Sequence, residues 1–464
     1  MDLLIMMNKN NWRFYLFWGG LFFVSAFFEY FSYFFGYKRY LFSFEMFFAF
    51  FLLLMKKKRI AILLFIFATA MEFSLGMSSV LYLFEFSQLG TIFGFFSEAK
   101  KSYIFGATFF LFVLIVVFFL SGNLSEPTNW RRSSVLGGVL LLTQLTFSLR
   151  DGNFMQPALT SKWNLIFGSS FYINSEVMKF NREIYALESD ESGEFLRIRK
   201  PSAVELNWSK QRLPDKIMLV VAESWGKARD ERIVRHQISS LARSNNIDDL
   251  KLSYVPSGGA TIYGEFRELC GLIPTKLKFK KIDKRDLSLC LPHKLTAEGY
   301  KTVSLHGAHG TMYDRITWYP LAGIQKMLFR EVLPFDKSKE CYSFPGYCDR
   351  YLFKYALSEL KSDRKVFLYW MSLNSHTPYE KRDVAFYDEN ICREYLDNNY
   401  SDQLCAYHQL HLQFFEELEK MAHNNELKGM RVIVVGDHAP IFNDEDSREK
   451  FERNQVSAIS FSIK

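Results

Sequence analysis

No cysteine stands before residue 270, none of the six cysteines forms a Cys-x-x-Cys pair, and no Gly-x-Ser-x-Gly stretch occurs in the 464 residues. The first absence separates two halves of unlike chemistry. The second removes the usual ligand spacing of a structural zinc cluster, and the third removes a serine nucleophile elbow. Internal repeats, low-complexity tracts and nucleic-acid-binding motifs are also missing, so the formal net charge of +7 needs another explanation than a nucleic-acid partner.

What is present is unevenly spread. The averages, 49% hydrophobic, 17% aromatic and 23% charged, suit an ordinary soluble protein. Up to about residue 150, however, phenylalanine, leucine and isoleucine arrive in long runs, whereas beyond residue 180 charged residues recur every few positions. Five apolar stretches, 13–35, 39–55, 60–87, 103–121 and 133–149, are each near the ~20 residues that carry a helix across a ~30 Å hydrocarbon core. They predict a domain of five transmembrane helices over 1–150. The first run is too long for a signal peptide and no small-residue cleavage site follows it, which predicts an uncleaved anchor. Lys9, Arg13, the cluster Lys56, Lys57, Lys58 and Arg59, and the pair Arg131 and Arg132 place their loops in the cytoplasm, although Lys100 and Lys101 run against that pattern. Five crossings from an inside N-terminus put everything after residue 150 outside the cytoplasm. The positive charge then falls on cytoplasmic loops and a juxtamembrane surface, with anionic lipid as its electrostatic partner.

The cysteines agree. Cys270, Cys290, Cys341, Cys348, Cys392 and Cys405 all lie in the second half, and an even count in an exported domain predicts disulfides. Fifteen connectivities are open; spacing favours the neighbours Cys270 with Cys290, Cys341 with Cys348 and Cys392 with Cys405.

Residues 151–215 read as an interfacial linker, in which Trp163, Phe167, Phe171 and Tyr172 are spaced for a surface-lying helix; a simple folded connector is the alternative. From residue 216 to 464 the pattern changes to short apolar runs, KIMLVVAES, KLSYVPS, KTVSLHG, KVFLYWMS, RVIVVGD and VSAISFSI, with helical periodicity near 232–244, 261–272, 347–362 and 401–427. Alternation of this kind predicts an α/β domain with a mostly parallel sheet flanked by helices.

Ligands of such sheets gather beyond the carboxyl ends of the strands. The residues just after the apolar runs are Glu223, Ser257 to Thr261, His306 with His309, Asn374 to His376, and Asp437 with His438. Asp437 and His438 offer adjacent oxygen and nitrogen ligands suited to zinc or manganese, with Glu223 as a second carboxylate; a capping aspartate beside an exposed histidine is the plainer alternative. Thr261 opens a helical stretch, where amide groups and the helix dipole favour an anion. A bound metal would lower its pKa enough for nucleophilic work, while an N-cap threonine fits the same position. Gly258 and Gly259 before it give the chain freedom to turn out of a strand. His376 suits a general acid or a phosphate contact, or a buried structural histidine. His306, His309, Tyr313 and Arg315 could wall an anionic group. Cys290 opens CLPHK, near the Cys-x-Pro-x-Arg stretch that sulfatases convert to formylglycine, but Lys294 replaces the arginine and a disulfide is the simpler fate of Cys290.

As an ordered set, ESWG at 223–226, SGGATIYGEF at 257–266, HGAHGTMYDR at 306–315, NSHTPY at 374–379 and VVGDHAP at 434–440 resemble the alkaline phosphatase superfamily. With the apolar N-terminal half, the chain resembles the membrane phosphoethanolamine transferases and the phosphoglycerol transferases of the lipoteichoic acid synthase type, which share a sulfatase-like fold. The resemblance implies that Glu223, Thr261, Asp437 and His438 bind a divalent metal, zinc ahead of manganese, and that Thr261 carries a transient phosphoryl-linked intermediate. It implies that His376, His309, His306, Arg315 and Tyr313 hold the substrate phosphate. The implied donor is phosphatidylethanolamine or phosphatidylglycerol and the implied acceptor a glycan or glycolipid such as lipopolysaccharide. The implied setting is the bacterial inner membrane, with a monomeric enzyme whose catalytic domain faces the periplasm. Thr261 followed by Glu265 and Phe266 is similar to the phosphoglycerol branch, whereas closely spaced cysteine pairs are similar to the phosphoethanolamine branch. Ala308 stands where the former has an acidic substrate contact.

Overall fold

The computed structural model describes residues 11–35, 43–80, 101–124, 135, 137–139, 195–198, 200–207, 213–257, 260–274, 279–334, 336–396, 400–442 and 444–464. Two compact units are present, one of Met1–Glu85 with Ala99–Arg182 and one of Phe86–Glu98 with Glu183–Lys464.

The first unit is helical. Its described helices are Asn11–Phe35, Phe44–Leu54, Lys58–Val80 and Lys101–Leu124. Within them, Arg13–Ser32 and Ile104–Asn123 are long and apolar enough to cross a membrane, and Glu45–Leu54 is a shorter apolar helix. Most of the fifth expected stretch, 133–149, and the ends of the second and third lie outside the described residues. Phe17, Phe28, Phe50, Phe65 and Phe118 pack inward, with the Phe65 and Phe118 rings stacked at 4.0 Å. Leu63, Phe105 and Phe112 face outward at 69%, 75% and 62% exposure. An exterior this apolar is costly against water and neutral against hydrocarbon.

The second unit is the expected α/β domain. Strands β1 (Phe195–Arg197) and β5 (Leu272–Pro274) pair separately. The main sheet contains β2 (Lys216–Ala222), β3 (Gly226–Ala228), β4 (Ile247–Pro256), β6 (Lys301–His306), β7 (Lys326–Leu328), β8 (Val366–Met371), β9 (Arg431–Gly436) and β10 (Phe451–Ile463). Its order is β3-β10-β9-β2-β8-β6-β7, with β4 on the other side of β10. The run β9-β2-β8-β6-β7 is parallel and β10 antiparallel to its neighbours. Since β4 and β9 both oppose β10, β4 ends at the same edge as the parallel strands.

The central strands are buried on both faces, which is why their sequences are continuously apolar rather than alternating. Alternate residues of β8 serve different layers. Trp370 packs on Phe353 and Phe414 at 4.7 and 5.4 Å, whereas Tyr369 meets Tyr319 at 5.8 Å. Each fully buried aromatic of this size contributes about 1.5–3 kcal/mol. The expected stretch 401–427 is a helix over Asp402–Ala422, started by Ser401, whose hydroxyl accepts the Leu404 N–H. The expected stretch 232–244 is two short helices, Glu231–Gln237 and Ser239–Arg243.

All three neighbour disulfides are present: Cys270 with Cys290, Cys341 with Cys348, and Cys392 with Cys405. Most of the 151–215 linker, including Trp163, Phe167, Phe171 and Tyr172, lies outside the described residues, but its C-terminal part does not stand apart. β1 pairs with β5, and the helix Ala203–Asn207 presents the Ala203 and Val204 N–H groups to the buried Glu268 carboxylate at 3.3 and 3.0 Å. Residues 195–198 and 200–207 therefore pack as part of the α/β unit, ahead of the boundary at 216 that the run pattern suggests.

Candidate metal centre and substrate wall

Strand register brings the candidate residues together. Ala222 of β2 lies opposite Gly436 of β9, so Glu223 and Asp437, one residue further on, emerge side by side. Met371 of β8 pairs with Val221 on one side and His306 on the other, which sets the end of β6 in the same row. The helix Thr261–Cys270 then brings its first residue over Glu223 and His438. It can approach because residue 264 is glycine: a Cβ there would stand 2.6 Å from Asp437 Cα. Gly271, at φ 65°, stops the helix in the left-handed conformation and lets the chain enter β5. Gly258 and Gly259 lie outside the described residues.

Glu223, Asp437 and His438 are buried, and one ligand atom from each lies within 4.8 Å of the others. His438 Nε2 is 3.4 Å from Glu223 Oε1 and 3.4 Å from Asp437 Oδ2. The Thr261 hydroxyl is 3.3 Å from Glu223 Oε2 and 3.5 Å from His438 Nε2. The N-cap of this helix is Ala260, not Thr261, so the threonine hydroxyl is not used for capping and faces the cluster instead. His438 Nδ1 lies 2.8 Å from the Ala439 carbonyl, to which it donates, and this bond aims Nε2 at the two carboxylates.

These donors fit a divalent cation. Asp437 Oδ2 is buried with no hydrogen-bond partner, an arrangement that is expensive unless a cation meets it. Burial together with the nearby Glu223 charge pushes the Asp437 carboxyl up to about 7. Burial also opposes ionisation of Glu223, but the His438 hydrogen bond and the His376 charge outweigh it and hold that carboxyl down at about 2. His438 is driven up to about 9, against its burial, by Asp437 and Glu223. The cluster thus carries more negative charge than its own imidazole neutralises. Two carboxylates, an imidazole and a hydroxyl form a hard to borderline donor set, suited to zinc or manganese. The other close group of ligand-type side chains among the described residues, Cys341, Cys348 and Asp383, is different: its sulfurs are joined, and Asp383 accepts the Tyr342 and Ser343 N–H groups at 2.5 and 2.8 Å.

The expected substrate wall divides into two groups. His376 sits at the β8 end with Nδ1 2.6 Å from the Thr377 carbonyl and its ring against Phe344 at 4.5 Å. Tyr313 lies beside Arg315, whose guanidinium carbon is 5.3 Å from the ring centre, and Tyr313 and Asp314 both hold positive φ, 53° and 51°. Such backbone conformations persist at sites where surrounding structure enforces them. Burial raises the Tyr313 hydroxyl above its ordinary value.

The other group is committed elsewhere. Arg315 is 1% exposed and donates through Nε and Nη2 to Glu265 at 2.9 and 2.7 Å, while Nη1 is 3.2 Å from His306 Nε2. His306 Nδ1 in turn donates to the Met371 carbonyl at 2.9 Å, and burial plus the Arg315 charge depress its pKa to about 3. His309 is paired with Glu331 at 3.3 Å and with Arg330 at 3.3 Å. His306 and Arg315 therefore form a charged floor locked to Glu265, and His309 belongs to a neighbouring ion cluster.

Sequence reading missed Arg267 and Ser372 and gave Ser257, Ser375 and Glu265 no supporting role, yet these groups hold the site in place. Arg267, 4% exposed, donates to the carbonyls of Gly436, Asp437 and Pro256 and to Glu268. Ser257 donates to the Asp437 carbonyl at 2.9 Å. Ser372 and Ser375 hold the Glu223 backbone, and Glu265 accepts from Tyr319 and Tyr369 besides Arg315. A signal existed for Ser257, Glu265 and Ser375, which lie inside the quoted motifs; a buried arginine such as Arg267 leaves no local pattern.

A mixed sheet flanked by helices thus gathers a threonine hydroxyl, two carboxylates and an imidazole at its carboxyl edge, the arrangement expected from the ordered motifs. The family model described as Sulfatase matches residues 216–457, more than half of the chain, and the chain belongs to the sulfatase family. Among curated proteins no match is found. Solved structures similar to this chain include a lipoteichoic acid synthase from Listeria monocytogenes, 16% identical with a TM-score of 0.40, over 53% of this chain and 65% of that one. A Streptococcus pyogenes phosphoglycerol transferase in complex with sn-glycerol-1-phosphate is 16% identical with a TM-score of 0.37, over 60% and 74%. An integral membrane lipooligosaccharide phosphoethanolamine transferase from Neisseria meningitidis is 16% identical with a TM-score of 0.39, over 76% and 62%. The chain thus spans 65% of the length of the lipoteichoic acid synthase.

Proposed function

We propose that this protein is a membrane-anchored, metal-dependent phosphotransferase. It takes a phosphoalcohol head group, phosphoethanolamine first and phosphoglycerol second, from a membrane phospholipid and passes it to an exported glycan or glycolipid such as lipopolysaccharide. The carrying observation is the Thr261 hydroxyl, buried at a helix start, 3.3 Å from Glu223 Oε2 and 3.5 Å from His438 Nε2. A hydroxyl with no capping duty, aimed into a cluster of carboxylate and imidazole, is set up for nucleophilic attack. The apolar exterior of the helical unit supports a membrane setting, with five crossings and the α/β domain in the periplasm of the bacterial inner membrane.

Glu223, Asp437, His438 and Thr261 would hold the cation, zinc ahead of manganese, which when bound lowers the hydroxyl pKa and offsets phosphoryl charge. Thr261 directs its proton at Glu223 Oε2 and turns its lone pairs to the phosphorus. The Thr261 oxygen forms a bond to phosphorus as the bond to the diacylglycerol oxygen breaks, and that oxygen takes up the proton that Thr261 releases by way of Glu223 Oε2. The helix dipole behind Thr261 favours the anionic phosphodiester. His376 and Tyr313 contact the phosphate directly, while Arg315, paired with Glu265, fixes the neutral His306 beneath it and His309 stays in its cluster with Glu331 and Arg330. The acceptor hydroxyl then attacks phosphorus, the bond to Thr261 breaks and the threonine regains its proton. The protein works as a monomer.

Replacing Thr261 with alanine tests this. Transfer should vanish while the melting temperature stays near wild type and zinc is still held by Glu223, Asp437 and His438; a variant with full transfer activity refutes the mechanism. Membership of the sulfatase family favours a second reading, hydrolysis of a phosphodiester or sulfate ester with water as acceptor. Cys290 is bonded to Cys270, so a formylglycine at that position has no part in it. Incubation with phospholipid separates the two readings, because a hydrolase releases free head group whereas a transferase leaves a mass-shifted glycolipid.

A further inference from the structure

Ser224 sits between the two carboxylates of the candidate centre and serves both. Its N–H donates to Asp437 Oδ1 at 2.7 Å and its hydroxyl donates to Glu223 Oε1 at 3.1 Å. Asp437 Oδ1 also receives the His438 N–H at 2.7 Å, so that oxygen is filled, while Oδ2 accepts no hydrogen bond and faces His438 Nε2 at 3.4 Å. On Glu223, the Ser224 hydroxyl takes Oε1 and the Thr261 hydroxyl faces Oε2. Each carboxylate is thus tethered to Ser224 through one oxygen, which leaves Glu223 Oε2 facing Thr261 and Asp437 Oδ2 facing His438 Nε2.

One residue can do this only because its backbone is turned. Ser224 has φ 58°, in the left-handed region that a non-glycine residue seldom occupies. Its surroundings enforce the turn: the Tyr407 hydroxyl donates to the Ser224 carbonyl at 3.0 Å, and the Gly226 N–H returns to the same carbonyl at 2.9 Å. Tyr407 is fully buried on the helix Asp402–Ala422. The Glu223 backbone is fixed in parallel, its N–H by Ser372 Oγ at 2.8 Å and its carbonyl by Ser375 Oγ at 2.6 Å. With that backbone held, the Ser224 hydroxyl fixes one oxygen of the Glu223 side chain, which Thr261 and His438 also face.

We propose that Ser224 is a positioning residue of the metal centre, holding Glu223 through its hydroxyl and Asp437 through its amide so that their remaining oxygens converge on one cation. This rests on the reading of the cluster as a metal site. Outer hydrogen-bond partners of metal ligands typically change metal affinity about 10–100-fold when removed.

The test is the Zn2+ affinity of the full chain, measured by competition with a chromogenic chelator, for wild type, Ser224→Ala and Ser224→Gly, together with the melting temperature of each metal-free protein. Both variants lose the hydroxyl, but only glycine accepts φ 58° without strain. Both should bind Zn2+ about tenfold or more weakly, with the metal-free melting temperature of Ser224→Gly no lower than that of wild type. Affinity within twofold of wild type in Ser224→Ala overturns the proposal. Loss in Ser224→Ala that Ser224→Gly restores assigns the effect to backbone strain and overturns it too. A His438→Ala control separates the levels: wild type and His438→Ala binding Zn2+ equally poorly refutes the metal reading itself, and the role of Ser224 falls with it.

Discussion

Replacing Arg315 with methionine distinguishes a residue that builds the site from one that merely contacts substrate. Glu265 is fully buried and receives Arg315 through two hydrogen bonds, at 2.9 and 2.7 Å, as well as the hydroxyls of Tyr319 and Tyr369. Methionine keeps much of the volume but leaves the carboxylate with two neutral donors and no counter-charge. Breaking a buried pair on one side costs about 3–5 kcal/mol. At about 2 °C per kcal/mol, expected for a unit of this size, the α/β domain should melt roughly 6–10 °C lower. Differential scanning calorimetry of the full chain in detergent reads this directly. The double variant Glu265→Leu with Arg315→Met should recover only part of the loss. It removes the orphaned charge but strands the Tyr319 and Tyr369 hydroxyls, at about 1–3 kcal/mol each. Arg315→Met melting within 2 °C of wild type while losing activity would refute the reasoning and return Arg315 to a direct phosphate contact.

Other consequences can be checked alongside. Asp437→Asn should lower Zn2+ affinity and raise metal-free stability, because it removes one of two facing buried carboxylates; metal titration and melting of the apoprotein report both. His408 and His411 are buried and neutral, their pKa values depressed by burial to about 3. For such groups the unfolded chain binds the proton first, so stability is full above pH ~6.5 and is lost as pH falls toward 3, by about 2 kcal/mol per histidine at pH 5. Substituting both with glutamine should flatten the fall in melting temperature between pH 6.5 and 5, and an unchanged slope would contradict the assignment. A fragment of residues 195–464 should melt higher than one of 216–464, since the shorter fragment loses the β1–β5 pair and the Ala203 and Val204 amides that meet Glu268. Withdrawing those donors from a buried carboxylate costs about 1–3 kcal/mol, and equal melting temperatures would exclude that contribution.

Much of the α/β domain was legible because its physics is local. An apolar β-branched run such as IMLVVA or VIVV can be satisfied only in a doubly covered strand, and the first polar residues after it fall at the carboxyl edge. That is how Glu223, Thr261, His376, Asp437 and His438 stood out before any coordinates. Thr261 could be placed at a helix start from its neighbours, but whether its hydroxyl capped the helix or faced outward depended on Ala260 taking the cap. The pairing of cysteines by proximity was readable for the same reason, since closely spaced partners need little chain to meet. The helical half was legible as apolar and no further, because hydrophobic runs do not say how helices pack.

By itself, then, the sequence determined the elements, the edge on which the chemistry lies and the candidate metal donors. The tertiary structure alone decided which donors meet and what holds them. Glu223 and Asp437 are 214 positions apart and become neighbours only through the Ala222 to Gly436 register. Arg315 looked free for a phosphate until Glu265, 50 positions away, claimed it in the interior. Ser224 lies inside the ESWG motif, but its role could not be read there, because it comes from a left-handed turn and two carboxylates converging from separate strands. Hydrogen bonds across that distance are set by strand order and register, which no local pattern encodes.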